Sequence, residues 1–116
     1  MQNRRRSLVK FMKLLKIHYL ECVSDTHNKF YEMIFFKQND KYYIYREWGR
    51  IGTEGTRKIE PQMDSDPFIS EDEAVEAAGM RMARIASEKF GKGYTEKEHD
   101  KIDLNKEVSK IMLMMI

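Results

Sequence analysis

Trp48, Gly49 and Arg50 follow one another in the stretch REWGRIGTEG, and their side chains are suited to holding a ligand. An indole face stacks on planar partners, and a guanidinium offers a rigid fork of donors to a phosphate or carboxylate. Trp48 is the only tryptophan, and its neighbours are arginines and glycines where a core position would have aliphatic ones. That setting suits gripping. Strand periodicity supports a second possibility, because Trp48 shares one face with Tyr42, Ile44 and Arg46 and is on that count a core residue.

Other constellations carry less. His18, Cys22 and His27 fall on a strand and a loop at spacings foreign to common zinc modules, with no fourth ligand, so no metal site is expected. The carboxylates of DSDPFISEDE lack the central glycine of a calcium loop and instead feed a capped helix. Neither a nucleophile–base pair nor a phosphate-cradling glycine loop with its lysine is present. The expectation is a protein with no catalytic residues and no cofactor.

The elements that position Trp48 are legible from pattern. Residues 13–23 read as a first strand, and Ser24–Asn28 as a turn. Lys29–Lys37 forms a second strand with aromatic residues on both faces. The tight connection Gln38–Asp40 makes the third strand, Lys41–Trp48, its antiparallel hairpin partner. Gly49, Gly52 and Gly55 break that strand, and a fourth extended segment runs through Arg57–Met63. Ser70 and Glu73 match a capping box and open a helix. Its stripe of Val75, Ala78, Met82, Ile85 and Lys89 can pack on a sheet, and Gly91 and Gly93 stop it. Arg81 and Arg84 read as a solvated face of that helix. The fold class is α+β: a twisted antiparallel β-sheet of four to five strands, one α-helix packed across it, and a C-terminal extension.

The 116 residues suffice for one domain, with 41% hydrophobic and 34% charged residues as in a globular protein. A single cysteine, Cys22, permits no intrachain disulfide and fits a reducing, cytoplasmic setting. Residues 1–16 carry six basic residues and no acid, leaving 15 basic against 19 acidic residues in the remainder, a balance of −4. A polyanion must therefore be held by a local patch, aided by the basic N-terminus. RRRSLVKFMKLLK has the charge of a secretory signal, but lysines interrupt its apolar run and no small-residue cleavage site follows. Secretion and membrane association are not expected. The tail ends in IMLMMI, too apolar to be left in water. Ile102, Val108, Ile111 and Met112 can line a helix face, but Ile111, Leu113 and Ile116 have no obvious home in a one-helix domain. The tail therefore either forms a homodimer through residues 109–116 or folds back on its own sheet.

NKFYEMIFF, then YYIYREWGRIGTEG, then EDEAVEAAGMRMARIASEKFGKGY together resemble the WGR domain. That family takes its name from the Trp-Gly-Arg signature. It occurs beside the catalytic domain of DNA-break-activated poly(ADP-ribose) polymerases and, in bacteria, alone or fused to other domains. The resemblance spans roughly residues 14–95 and sets the expected organisation: a basic segment over 1–12, the domain over 13–95, and an extension over 96–116. Asn28, Trp48, Arg50, Lys58 and Tyr94 occupy positions that match the family.

The resemblance implies a non-catalytic, bacterial-type module that binds DNA at ends or nicks. At a broken end Trp48 would replace a lost stacking neighbour, worth about 1–3 kcal/mol. Arg50 would take a phosphate, and Asn28 would donate to a phosphate or sugar oxygen. Gly49 and Gly52 would let the backbone approach closely. Arg50 also has protein-facing alternatives: an acid of its own domain such as Glu47 or Glu54, or a neighbouring domain, as in the polymerases. The alternative function is a protein-interaction module that uses the same face or the apolar tail.

Overall fold

The computed structural model describes residues 12–61, 70–98 and 102–115. Most of the basic N-terminal segment and the Asp64–Phe68 loop lie outside the described residues. The elements run β1 (Met12–Val23), β2 (Asn28–Gln38), β3 (Lys41–Arg50), β4 (Thr56–Pro61), α1 (Glu71–Gly91), β5 (Thr95–Lys97) and α2 (Leu104–Met115). The strands form one antiparallel sheet in the order β4-β3-β2-β1-β5, so the fold is α+β.

The β2–β3 hairpin sets the register. Asn39 and Asp40 adopt φ of 51° and 65°, the left-handed pair that a two-residue turn demands and that short polar side chains tolerate. Gln38 then pairs with Lys41, and the ladder continues as far as Lys29 opposite Arg50. In β1, Leu15 is an extra residue between the Leu14–Phe36 and Lys16–Phe35 pairs. This bulge lets Leu14 and Ile17 pack on one face while Leu15 joins the other.

α1 covers one face of the sheet. Ser70 caps it by accepting from the Glu73 N–H at 3.2 Å, and Lys92 ends it, with Gly93 at φ 97°. Its buried stripe is Ala74, Ala78, Met82 and Ala86, with Val75 and Ile85 at the flanks. The small side chains let it lie close over Leu20, Met33, Phe35 and Ile44. Arg81 is exposed, as expected of that face, and from there its Nε donates to Glu60 on β4 at 2.7 Å.

The opposite face holds Ile34, Phe36 and Tyr45, which a single helix cannot cover. α2 packs there. Ile111 and Met112 are buried within this chain, which corrects the expectation that Ile111 lacked a home. The reason is β2 itself, apolar on both faces and central in the sheet, so that each face needs its own helix. Ile116 lies outside the described residues, and Leu113 stays exposed. Glu96 and Lys97, the first residues of the expected extension, pair in β5 with β1. Among the described residues, no helix is long and apolar enough to cross a membrane.

Candidate nucleic-acid interface

The register of the hairpin places Trp48 directly opposite Tyr31, and Arg50 opposite Lys29, on the α1 side of the sheet. Trp48 is half-buried. One face stacks on Tyr31, with ring centroids 5.7 Å apart and planes inclined by 16°. Its neighbour on the other side is Thr56 of β4, small and exposed. Core packing and ligand gripping, the two possibilities for Trp48, therefore coexist: part of the ring completes the α1-side core and part remains accessible.

Cations interleave with these rings. Arg46 lies with Cζ 6.0 Å from the Trp48 ring and donates from Nη1 to the Tyr31 hydroxyl at 3.1 Å. Its Nη2 donates to Glu60 at 3.2 Å. Glu60 also takes Arg81, and although burial opposes its ionisation, these partners hold its carboxyl below the usual range. The Lys89 ammonium sits 4.5 Å over the Tyr31 ring and 5.7 Å from that of Tyr94, and Lys29 lies 5.6 Å from Tyr94. Burial lowers the pKa of Lys89, and the nearby charges of Lys92, Lys29 and Arg46 lower it further. Cations that crowd one another in this way gain from an anion placed among them.

A concavity of about 600 Å³ opens beside this cluster, lined by the turn Ser24–Asn28 with Lys29, Trp48, Gly49, Arg50 and Tyr94. The turn is held by hydrogen bonds between Ser24 and His27, 2.8 Å from Ser24 N to His27 O. The Asn28 carbonyl accepts from Ile51 N at 3.0 Å, which ties the start of β2 to the Trp-Gly-Arg turn. Arg50 is exposed and takes no ion pair among the described residues. The acids of its own domain weighed for it are engaged elsewhere: Glu54 pairs with Arg57 at 3.1 Å and Glu47 with Lys110.

Asn28, Trp48, Gly49, Arg50 and Tyr94 thus meet at one concavity. Lys58 does not line it. It pairs with Arg46 across β3–β4 and lies 4.0 Å from Glu60. Gly52 lines a cleft on the opposite, α2-covered face. Its φ of 88° shows a conformational role in the turn, with no atom within 4 Å of where a Cβ would stand. Close approach belongs to Gly55, whose Cβ would fall 2.3 Å from the Trp48 carbonyl oxygen, and to Gly49, packed on Gly55.

Tyr31, Arg46 and Lys29 were not singled out from sequence. A signal existed, because Tyr31 lies seven residues back from Gln38 and Trp48 seven on from Lys41. Of the residues weighed as metal ligands, His18 pairs with Glu96 at 3.0 Å, Cys22 is buried, and His27 sits exposed in the turn.

A family model described as the WGR domain matches residues 17–101. No curated protein matches the chain. Among solved structures, the crystal structure of a protein from Bacteroides fragilis is similar, at 22% identity and a TM-score of 0.47. The match covers 73% of this chain and 20% of that one, so this chain spans a small part of that protein's length.

Proposed function

The chain belongs to the WGR domain family, a non-catalytic family known as a nucleic-acid-binding module in poly(ADP-ribose) polymerase-like proteins, and from that premise we propose that it binds DNA at ends or nicks without catalysing a reaction. The observation that carries this is the juxtaposition at one concavity of a half-exposed indole, backed by Tyr31, with a guanidinium that no acid among the described residues engages. A continuous duplex offers phosphates but no free base or sugar face. A break offers both, and a stacking platform beside a phosphate fork is selective for that combination. Tyr31 and Arg46 hold Trp48 in place beforehand, so binding loses little side-chain freedom. Asn28 and Tyr94 complete the wall against which the terminal nucleotide rests.

The test compares one DNA sequence as a covalently closed circle, a nicked circle, a blunt linear fragment and a single strand, in competition electrophoresis at several salt concentrations. Tighter binding to nicked and linear forms, with a steep salt dependence from counterion release, is expected. Equal affinity for closed and nicked circles would sink the proposal.

A second reading rests on Leu113 and Met114, exposed on α2 at 67% and 39%. In this reading the same helix that seals the sheet presents Leu113 and Met114 to a second copy of the chain or to another protein. Such docking through an apolar surface would be insensitive to salt.

A further inference from the structure

Behind the Trp48 turn, on the face covered by α2, three carboxylates converge. Glu32 and Glu47 are directly opposite in the β2–β3 ladder, and Glu107 reaches them from α2. One oxygen from each lies within 4.8 Å of the other two. Like charges directly opposite on a sheet repel, and all three side chains are buried, at 4%, 2% and 6% exposure. Lys110 answers part of this charge, with Nζ 3.1 Å from both Glu47 Oε1 and Glu107 Oε1. One ammonium cannot answer three carboxyl groups, so the third, Glu32, must hold a proton or meet a second cation.

A separate observation points to what answers them. Glu32 Oε1 and Glu107 Oε2 are buried, and among the described residues no N–H or hydroxyl donates to them, so a proton held between the two carboxyl groups or a bound cation can answer them. Orphaned buried acceptors are rare and call for a proton, a water or an ion to answer them. A cleft of about 330 Å³, lined by the three glutamates with Thr53 and Asp103, gives room for water beside them.

We infer that Glu32, Glu47 and Glu107 form a site for one hard divalent cation that fastens α2 to the sheet. A divalent ion that displaces the proton from Glu32 meets three carboxylates of which Lys110 answers only one. Oxygen-only donors select magnesium, manganese or calcium over the metals that favour nitrogen and sulfur. Oxygens bound to one ion at about 2.3–2.6 Å stand up to roughly 5 Å apart, the span seen here. The site is on the opposite face from the Trp48 concavity and does not depend on the nucleic-acid function.

The full chain, stripped with EDTA, is titrated with manganese chloride while free Mn²⁺ is followed by electron paramagnetic resonance. Thermal melts are then recorded with Mg²⁺, Ca²⁺ and Mn²⁺ separately. One Mn²⁺ per chain is expected, with a rise in melting temperature of roughly 4 °C or more at saturation. Glu32→Gln should weaken uptake roughly tenfold or more, since affinity follows ligand charge, while Glu76→Gln on the exposed side of α1 should not. Should Glu32→Gln fail to fold, paramagnetic broadening on the wild type decides: amide signals of Gly55 and Lys110 should be lost first. Broadening confined to Glu71–Glu73, or uptake unchanged in a folded Glu32→Gln, would overturn the inference. So would a wild type that takes up no Mn²⁺, which would show a proton shared by Glu32 and Glu107 in the cation's place.

Discussion

Tyr31 and Trp48 stand opposite each other on β2 and β3 with their rings 5.7 Å apart and 16° from parallel. The contact fixes the indole on one side and leaves its other side toward Thr56, where no ring lies among the described residues. Arg46 is bonded to the Tyr31 hydroxyl and lies beside the Trp48 ring, so one guanidinium ties both aromatics together. A side chain held this way is a preformed platform.

Replacing the indole should therefore remove selectivity before it removes binding. Trp48→Ala is expected to lose about 1–3 kcal/mol of affinity for nicked DNA, the value of one stacked base. Its weaker binding to closed circles should stay unchanged. Trp48→Phe keeps a π-face and should retain part of the preference. Competition electrophoresis on the two circle forms measures this. A Trp48→Ala protein that still discriminates nicks at full strength would show that the indole is only core.

The turn beyond Trp48 makes a sharper structural prediction. At Gly55 an added Cβ meets the Trp48 carbonyl oxygen at 2.3 Å, a clash with backbone that no side-chain movement relieves. Gly52 meets nothing, and its left-handed φ costs an alanine about 1 kcal/mol or a little more. Gly55→Ala should accordingly lower the denaturant midpoint more than Gly52→Ala does, and should also impair DNA binding by moving Trp48. Equal midpoints for the two variants would contradict the geometry.

Most of this architecture was legible in the sequence, because it is written in local pattern. Turn residues at Asn39 and Asp40, alternation along β3 and the Ser70 cap are short-range signals, and the elements formed where they pointed. The concavity was legible in part. Trp48, Arg50, Asn28 and Tyr94 came from the signature, whereas Tyr31 needed the hairpin register to be counted outward. The glutamate cluster was not legible. Glu32, Glu47 and Glu107 come from three elements, and only the docking of α2 brings the last to the other two. The location of α2 could have been inferred from Phe35 and Phe36, adjacent residues that must point to opposite faces and so require cover on both.

Glu32 should make stability fall with rising pH. Burial, with Glu107 and Glu47 close by, raises its pKa from 4.5 to about 9, against the partial opposition of Lys110. Tyr19 and Tyr45 also sit in this charged surround, and burial raises their pKa values. Burial disfavours the charged form of Glu47 as well, but hydrogen bonds from Tyr45, Gly55 N–H and Lys110 hold its carboxyl low. Between the unfolded and folded values of Glu32 the native state binds the extra proton, so this contribution is complete below about pH 4.5 and is lost as pH rises through about 9. In EDTA, Glu32→Gln should flatten the decline in melting temperature between about pH 6 and pH 9. Parallel curves for the two proteins would show that Glu32 is already ionised in the fold.

The exposed end of α2 separates the two accounts of the apolar tail. Ile111 and Met112 are buried, so Ile111→Glu should destabilise the monomer itself, whereas Leu113 is 67% exposed. If residues 109–116 join two copies, Leu113→Glu dissociates them without lowering the melting temperature of dilute protein. Light scattering over a concentration series reads the mass directly. A wild type that stays monomeric throughout leaves the tail with only its intrachain role.

Removing Gln2–Arg6 tests whether the N-terminal arginines assist the Trp48 site. The body of the protein carries more acid than base, so the cations around Tyr31 and Tyr94 work against the overall field unless the first residues offset it. A basic segment that contacts phosphates does so without regard to sequence or breaks. Its deletion should weaken binding to closed, nicked and linear DNA alike and flatten the logarithmic salt slope by roughly one to three units, near 0.9 for each phosphate contacted. The preference for nicks should survive, since the stacking platform is untouched. A deletion that abolished nick preference would assign break recognition to the N-terminus and leave Trp48 without a role in it. An unchanged slope would show that the arginines make no contact with the backbone.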